Sequence, residues 1–288
     1  MHDFTKLAKI YHDNLKENKP YLEEKQWNLL AQSLNFSKAD FLFYALDFAK
    51  NFSQSPISHY QVGAVGLGTS NNLYIGTNIE FLQFPINQSI HAEQSLVSLA
   101  YTQGESGLKE IYLTAFPCGH CRQFFREMNN YDKLKIFVSS NKTTSFTLLE
   151  LLPHSFGPQD LNITQSLFLD KSSSLVTELV NVPSTVSAQL QEKILFSIQN
   201  SFAPYSKNPS GVVFVFDDDQ SIVGSYLESC AYNPSLSPFQ MAYAQIVLRK
   251  IDIKKLKEVY FVDMINAQIK QENIITMPQV IFINLKAR

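Results

Sequence analysis

The sequence predicts a layered α/β fold that is written twice in one chain. Short apolar runs with strand character alternate with stretches of helical periodicity, which implies helices packed on a sheet with at least some parallel pairing. The second half repeats landmarks of the first. Gly63, Gly76 and Glu80 recur 148 residues later as Gly211, Gly224 and Glu228, and Lys109-Glu110-Ile111-Tyr112 recurs as Lys257-Glu258-Val259-Tyr260. The 288 residues are 45% hydrophobic, enough at this length to bury one substantial core and a second.

The elements follow in order. Residues 1–48 read as an N-terminal helical segment, with Leu29, Leu30, Leu34, Phe41, Tyr44, Ala45 and Phe48 at helical spacing and Ser37 as N-cap ahead of Asp40. QVGAVGLG (61–68) and LYIGTNIE (73–80) read as strands joined by the turn Thr69-Ser70-Asn71-Asn72. HAEQSLVSLAY (91–101) is a helix, EIYLTAF (110–116) a strand, CGHCRQFFREM (118–128) a helix and LKIFVSS (134–140) a strand. The chain therefore divides into the helical segment, a domain at 49–155 that carries the chemistry, a linker at 156–184 and a second domain at 185–288.

Composition narrows the function classes. Charged residues make up 17% and the formal net charge is −2, which argues against a polyanion partner, since nucleic-acid binders carry a basic excess. No apolar run reaches the roughly 18 residues a membrane-spanning helix needs, and the N-terminus is polar and mixed in charge, unlike a signal peptide. Three cysteines do not make a disulfide scaffold, so a cytoplasmic location is expected.

Two of those cysteines carry the chemical argument. Zinc favours thiolate and imidazole ligands, and three protein ligands leave a fourth position for water. His91, Cys118 and Cys121 supply three, so one Zn2+ per chain is expected. Both cysteines open a helix after Pro117, where free N–H groups and the macrodipole favour thiolates. Glu93, two residues past His91, is placed for general acid–base work beside the metal rather than for ligation. A lone C-x-x-C is weak evidence, since a structural zinc site or redox pair accounts for it as well as a catalytic site does. Its combination with His-Ala-Glu, 27 residues ahead of Cys118, favours an open catalytic site.

The repeat lacks these groups. At the same offset of 148, taken without a gap, His91 falls on Phe239, Glu93 on Met241, Cys118 on Asn266 and Cys121 on Ile269. The second domain is expected to keep the fold without the chemistry.

HAEQ (91–94) followed by PCGHCRQF (117–124) matches the signature of the zinc deaminases. With NIEF (78–81), LLPHSFGPQDL (151–161), PYSKNPSGV (204–212) and AYNPSL (231–236), the chain resembles the cytidine deaminase family, in its long, two-domain, homodimeric branch. The resemblance implies a three-layer α/β/α fold with a mixed five-stranded sheet, duplicated, and a degenerate C-terminal copy. It implies hydrolytic deamination of cytidine and deoxycytidine in pyrimidine salvage, on a small-molecule nucleoside with no nucleic acid and no membrane as partner. Position by position, it implies His91, Cys118 and Cys121 as ligands, Glu93 as proton shuttle, and Asn78 and Glu80 on the ribose hydroxyls. It places Tyr60, where this branch usually has Phe, against the pyrimidine, and Phe156, with Ala231 and Tyr232 of a partner subunit, at the pocket's edge. The Pro117 carbonyl and the Ala92 N–H are candidates to hold the base edge. Two rivals are a deaminase of bases within DNA or RNA and a non-catalytic zinc protein that senses nucleosides.

Overall fold

The computed structural model describes residues 3–171, 179–180, 184, 186–218, 220–264 and 280–285. It divides into two compact units, Met1–Gly157 with Val247–Arg249, and Pro158–Ile246 with Lys250–Arg288.

The first unit begins with three helices, α1 (Thr5–Lys16), α2 (Glu24–Ser33) and α3 (Lys38–Lys50). Ser37 caps α3, its hydroxyl accepting from the Asp40 N–H at 3.2 Å. A five-stranded sheet follows, with β1 (Gly63–Gly68), β2 (Leu73–Thr77), β3 (Leu108–Leu113), β4 (Lys135–Val138) and β5 (Asn141–Thr147) in the order β2-β1-β3-β4-β5. The β3–β4 pair is parallel and the others antiparallel, so the sheet is mixed. Helices α4 (Ala92–Thr102), α5 (Gly119–Phe125) and α6 (Leu148–Leu151) complete the unit.

Every residue of β1 and β2 is buried, as in a sheet covered on both faces. The glycines show which helix covers which face. A Cβ on Gly63 would meet Leu46 and Lys50 of α3, whereas one on Gly66 or Gly76 would meet Leu96 of α4. Because alternate strand residues point to opposite faces, α3 and α4 lie on opposite sides of the sheet. β5 is the strand missing from the periodicity reading: its Asn-Lys-Thr-Thr-Ser run is almost wholly exposed and shows no apolar alternation.

The second unit repeats this plan with α7 (Ala188–Gln199), α8 (Pro238–Leu248), β7 (Gly211–Phe216), β8 (Ser221–Ser225), β9 (Leu256–Met264) and β10 (Val280–Leu285), preceded by β6 (Leu179–Val180). The strand order is β6-β10-β9-β7-β8. Val213 packs with Ile194 and Ile198 of α7, while Val212, Phe214 and Phe216 pack with Ala242 and Ile246 of α8, which gives the same three layers. One difference bears on the expected linker. The fifth strand here is β6, antiparallel to β10 and drawn from the chain ahead of α7, where the first sheet uses the strand after β4.

The structure corrects the gapless offset. Ile79 exchanges backbone hydrogen bonds with Ile90, and Leu227 with Leu236, so the intervening loop is two residues shorter in the second unit. From there the offset is 146: the His91 N–H donates to Gln94 Oε1 at 3.3 Å and the Ser237 N–H to Gln240 Oε1 at 2.9 Å. The Thr77 N–H donates to Ser95 Oγ, and the Ser225 N–H to Met241 Sδ. The loop after α8 restores the offset to 148, as the matching Tyr112–Glu110 and Tyr260–Glu258 bonds show. Ser237 and Phe239, not Phe239 and Met241, therefore stand where His91 and Glu93 do. Asn266 and Ile269 lie outside the described residues. No described helix is long and apolar enough to cross a membrane.

Candidate metal centre and cleft

His91 and Cys118 occupy the same local position in different helices. His91 is the N-cap of α4 and Cys118 the N-cap of α5, with Cys121 one turn further on. The two helix starts bring three donor atoms together. His91 Nδ1 lies 3.5 Å from Cys118 Sγ and 3.3 Å from Cys121 Sγ, and the sulfurs are 3.8 Å apart. A tetrahedral zinc, with Zn–S of about 2.3 Å and Zn–N of about 2.0–2.1 Å, requires S···S and S···N edges of about 3.8 and 3.5–3.6 Å. The three side chains form one face of such a tetrahedron. Among the described residues no other cluster of three metal-donor side chains is found, and no fourth donor joins this one.

The sulfurs divide their protonation. The hydrogen bond from Cys121 is the main influence holding the Cys118 thiol down at about 3, against partial burial and with help from His91. Burial, reinforced by Cys118, pushes the Cys121 thiol well up. A bound cation competes for the remaining proton, so metal uptake releases it. The His120 ring stacks on His91 with centroids 4.8 Å apart, which holds the imidazole in place.

Glu93 is the second residue of α4 and is only 5% exposed. Burial pushes its carboxyl up, opposed by its own backbone hydrogen bond and by His91. It lines a cleft of about 280 Å³ together with His91, Cys118, Ala92, Tyr60, Asn78 and Glu80. That volume lies just below the usual span of ligand pockets, about 300 to 1,000 Å³.

Asn78 and Glu80 sit just beyond β2, in a short extended stretch rather than in the strand itself. Gln54 holds this stretch on one side and Ile90 on the other through backbone bonds. The Asn78 amide is largely consumed by the protein: Oδ1 accepts from Ser53 Oγ and the Val62 N–H, and Nδ2 donates to the Tyr60 carbonyl. One N–H is left for a ligand. Glu80 accepts from the Ile57 and Ser58 amides at 2.9 Å each and from the Ser58 hydroxyl.

The remaining expected residues separate. Tyr60 lines the cleft with 60% of its surface exposed, and Ala92 lines it from the first turn of α4, where amides lack helical partners. Pro117 does not line the cleft. Its carbonyl accepts from Arg122 Nε at 2.7 Å, and the chain just before it, Ala115 and Phe116, lines the cleft instead. Phe156 is also outside the lining; its carbonyl accepts from Gln123 Nε2. Ala231 and Tyr232 belong to the second unit, where Tyr232 is 71% exposed and holds a left-handed φ of 61°.

Ser58, Val62, Ser89 and Ile90 complete the lining and were not singled out from sequence. For Ser58 a signal exists in the repeat, because Pro56-x-Ser58 recurs as Pro204-x-Ser206 together with Glu80 and Glu228.

A duplicated three-layer α/β/α fold with a His-Cys-Cys donor set at two helix starts defines a zinc-binding deaminase-type protein. A family model described as the cytidine and deoxycytidylate deaminase zinc-binding region matches residues 37–137, and a second of the same description matches 148–276. The cytidine deaminase of Aliivibrio fischeri is 36% identical over 247 residues, covering 86% of this chain and 80% of that protein. That of Proteus mirabilis is 35% identical over 261 residues, covering 88% and 86%. Among solved structures, the cytidine deaminase of Mycobacterium leprae aligns at 29% identity with a TM-score of 0.37, over 41% of this chain and 99% of that one. The chain belongs to the cytidine deaminase family. Its second matched region holds one histidine, His154, and one cysteine, Cys230, so it has no second His-Cys-Cys set.

Proposed function

We propose that Glu93 is the proton carrier of a hydrolytic deamination that converts cytidine and deoxycytidine to uridine and deoxyuridine with release of ammonia. The chain is a zinc-dependent cytidine deaminase. One observation carries the assignment to Glu93: a buried carboxylate lines the cleft beside His91 and Cys118 without joining the donor cluster.

A zinc ion held by His91, Cys118 and Cys121 supplies a Lewis acid that acidifies water near neutral pH. Glu93 then takes a proton from the attacking water and delivers it to N3 of cytosine as oxygen bonds to C4. It then takes the proton of the new C4 hydroxyl and passes it to the C4 amino group, so that the C4–N bond breaks, the C4 carbonyl forms and ammonia leaves. Burial raises the affinity of Glu93 for a proton, which suits a group that must hold and return one. The Ala92 amide faces the base edge, Tyr60 its ring, and Glu80 with the remaining Asn78 N–H the sugar hydroxyls.

The lining discriminates among substrates. It contains two carboxylates, Glu80 and Glu93, and neither Lys nor Arg. A 5′-phosphate or a strand of nucleic acid finds no cationic partner there. This favours free nucleosides over deoxycytidylate and over bases within DNA or RNA.

A homodimer is part of the same reading. Leu82, Ile86, Phe156 and Tyr232 are 63%, 74%, 47% and 71% exposed, and such surface apolar groups suit a second copy. Sedimentation showing a fully active monomer removes this element. A reducing, cytoplasmic setting suits the Cys118–Cys121 pair.

The test is turnover followed by loss of the cytidine absorbance band, with cytidine, deoxycytidine, deoxycytidylate and single-stranded DNA compared at matched zinc content. The expected result is comparable turnover of both nucleosides and at least about 100-fold lower kcat/KM on the other two. Equal efficiency on deoxycytidylate overturns the substrate assignment.

A further inference from the structure

Ser58 stands at the centre of a short relay. The Tyr60 N–H donates to Ser58 Oγ at 3.0 Å, and the Ser58 hydroxyl in turn donates to Glu80 Oε1. The Tyr60 N–H takes one Oγ lone pair, and because an ionised carboxylate can only accept, the single hydroxyl proton is directed at it. The Ile57 and Ser58 amides fix the other oxygen, Oε2. Three of the roughly four acceptor positions of the carboxylate are thereby filled from within the chain. What remains is an acceptor at a fixed orientation, facing the cleft, where a sugar hydroxyl can replace water as its donor. The bend that makes this possible passes through His59 at φ 55°, a conformation that costs a non-glycine residue energy and needs neighbours to hold it.

We infer that Ser58 is a positioning residue for substrate binding, acting through Glu80 and tying the orientation of that carboxylate to the backbone of Tyr60. The inference rests on the reading of Glu80 as the sugar-binding carboxylate.

The chain contains its own control. In the second unit the Asn208 N–H donates to Ser206 Oγ at 3.0 Å, the Ser206 hydroxyl to Glu228 Oε1, and the Tyr205 and Ser206 amides to Glu228 Oε2. Lys207 repeats the φ of 55°. The two relays match bond for bond, but Glu228 is 4% exposed, whereas Glu80 opens onto the cleft. The relay therefore has a folding role in both units and a binding role only in the first.

The experiment compares Ser58→Ala, Ser58→Thr, Ser206→Ala and Glu80→Gln in the full-length zinc-loaded protein, reading KM and kcat for cytidine alongside melting temperature. Expected are a rise in KM of about tenfold for Ser58→Ala with kcat within about twofold, and substantial recovery in Ser58→Thr. Ser206→Ala should lower the melting temperature to a similar degree and leave KM unchanged. In a Glu80→Gln background, Ser58→Ala should add less than about twofold to KM. If Ser58→Ala changes KM no more than Ser206→Ala does while Glu80→Gln raises it, the positioning role is overturned and the sugar-binding reading stands. If Glu80→Gln itself leaves KM unchanged, both fall.

Discussion

Gly76 of β2 lies directly beneath Ala92, the first residue of α4: a Cβ at position 76 would run into the Ala92 carbonyl oxygen and stand 2.6 Å from the Leu96 nitrogen. Both obstacles are backbone, so no side-chain rotation relieves them. The close approach seats the start of α4, and with it His91 and Glu93, against the sheet. Gly76→Ala is therefore expected to lift this helix, to cost on the order of 1–3 kcal/mol of stability and to lower zinc content and turnover together. Gly66→Ala meets only the movable Leu96 and Leu108 side-chain ends, at 3.1–3.3 Å, and should be milder on all three counts. Thermal melting with metal analysis on both variants checks this; a Gly76→Ala protein with full zinc content contradicts it.

Glu93→Gln keeps the volume of the side chain and removes its proton-carrying capacity. Since Glu93 lines the cleft without joining the His91, Cys118 and Cys121 cluster, the variant should bind one zinc and retain nucleoside binding. Turnover should fall by about 10²–10⁴-fold, the usual worth of a positioned acid–base group. Zinc stoichiometry and a binding titration with cytidine separate this from simple misfolding. Near-normal turnover refutes the assignment.

The donor set and the alternation of strands and helices were legible because both are short-range. Three ligands within two motifs, each opening a helix, need no knowledge of distant packing. What escaped is what depends on loop length or partner. The two-residue contraction between Leu227 and Leu236 is silent in composition, and it moves the equivalent of Glu93 from Met241 to Phe239. β5 escaped because its exposed polar run, paired with β4, carries no apolar alternation. The engagement of Asn78 by Ser53, Val62 and Tyr60 likewise depends on a fold that brings the 53–62 segment back over the strand end.

Zinc removal should change thiol reactivity in a residue-specific way. Cys118 is exposed, whereas Cys121 and Cys230 are buried. The zinc-loaded protein should react slowly with a thiol reagent, since the Cys118 sulfur is then a ligand. Chelation should abolish deamination and release one fast-reacting thiol, absent in Cys118→Ser, with the other two slow until the chain unfolds. Readdition of zinc before labelling should restore protection and turnover together. Two fast thiols after chelation would contradict the burial of Cys121.

The Glu80 carboxyl gives a pH signature whose sign follows from its surroundings. Partial burial pushes its pKa up, but the Ser58 hydroxyl and the Ser58 and Ile57 amides outweigh this and hold it below the ordinary glutamate value. A depressed folded-state pKa means the stabilisation is complete above the unfolded value of about 4.3 and is lost as pH falls through the folded value. Glu80→Gln has no such titration. The gap in melting temperature between the native chain and this variant should therefore stay level from pH 8 down to about 5 and close below about 4. A gap that widened with acid would mean that the carboxylate is held by something other than these three donors.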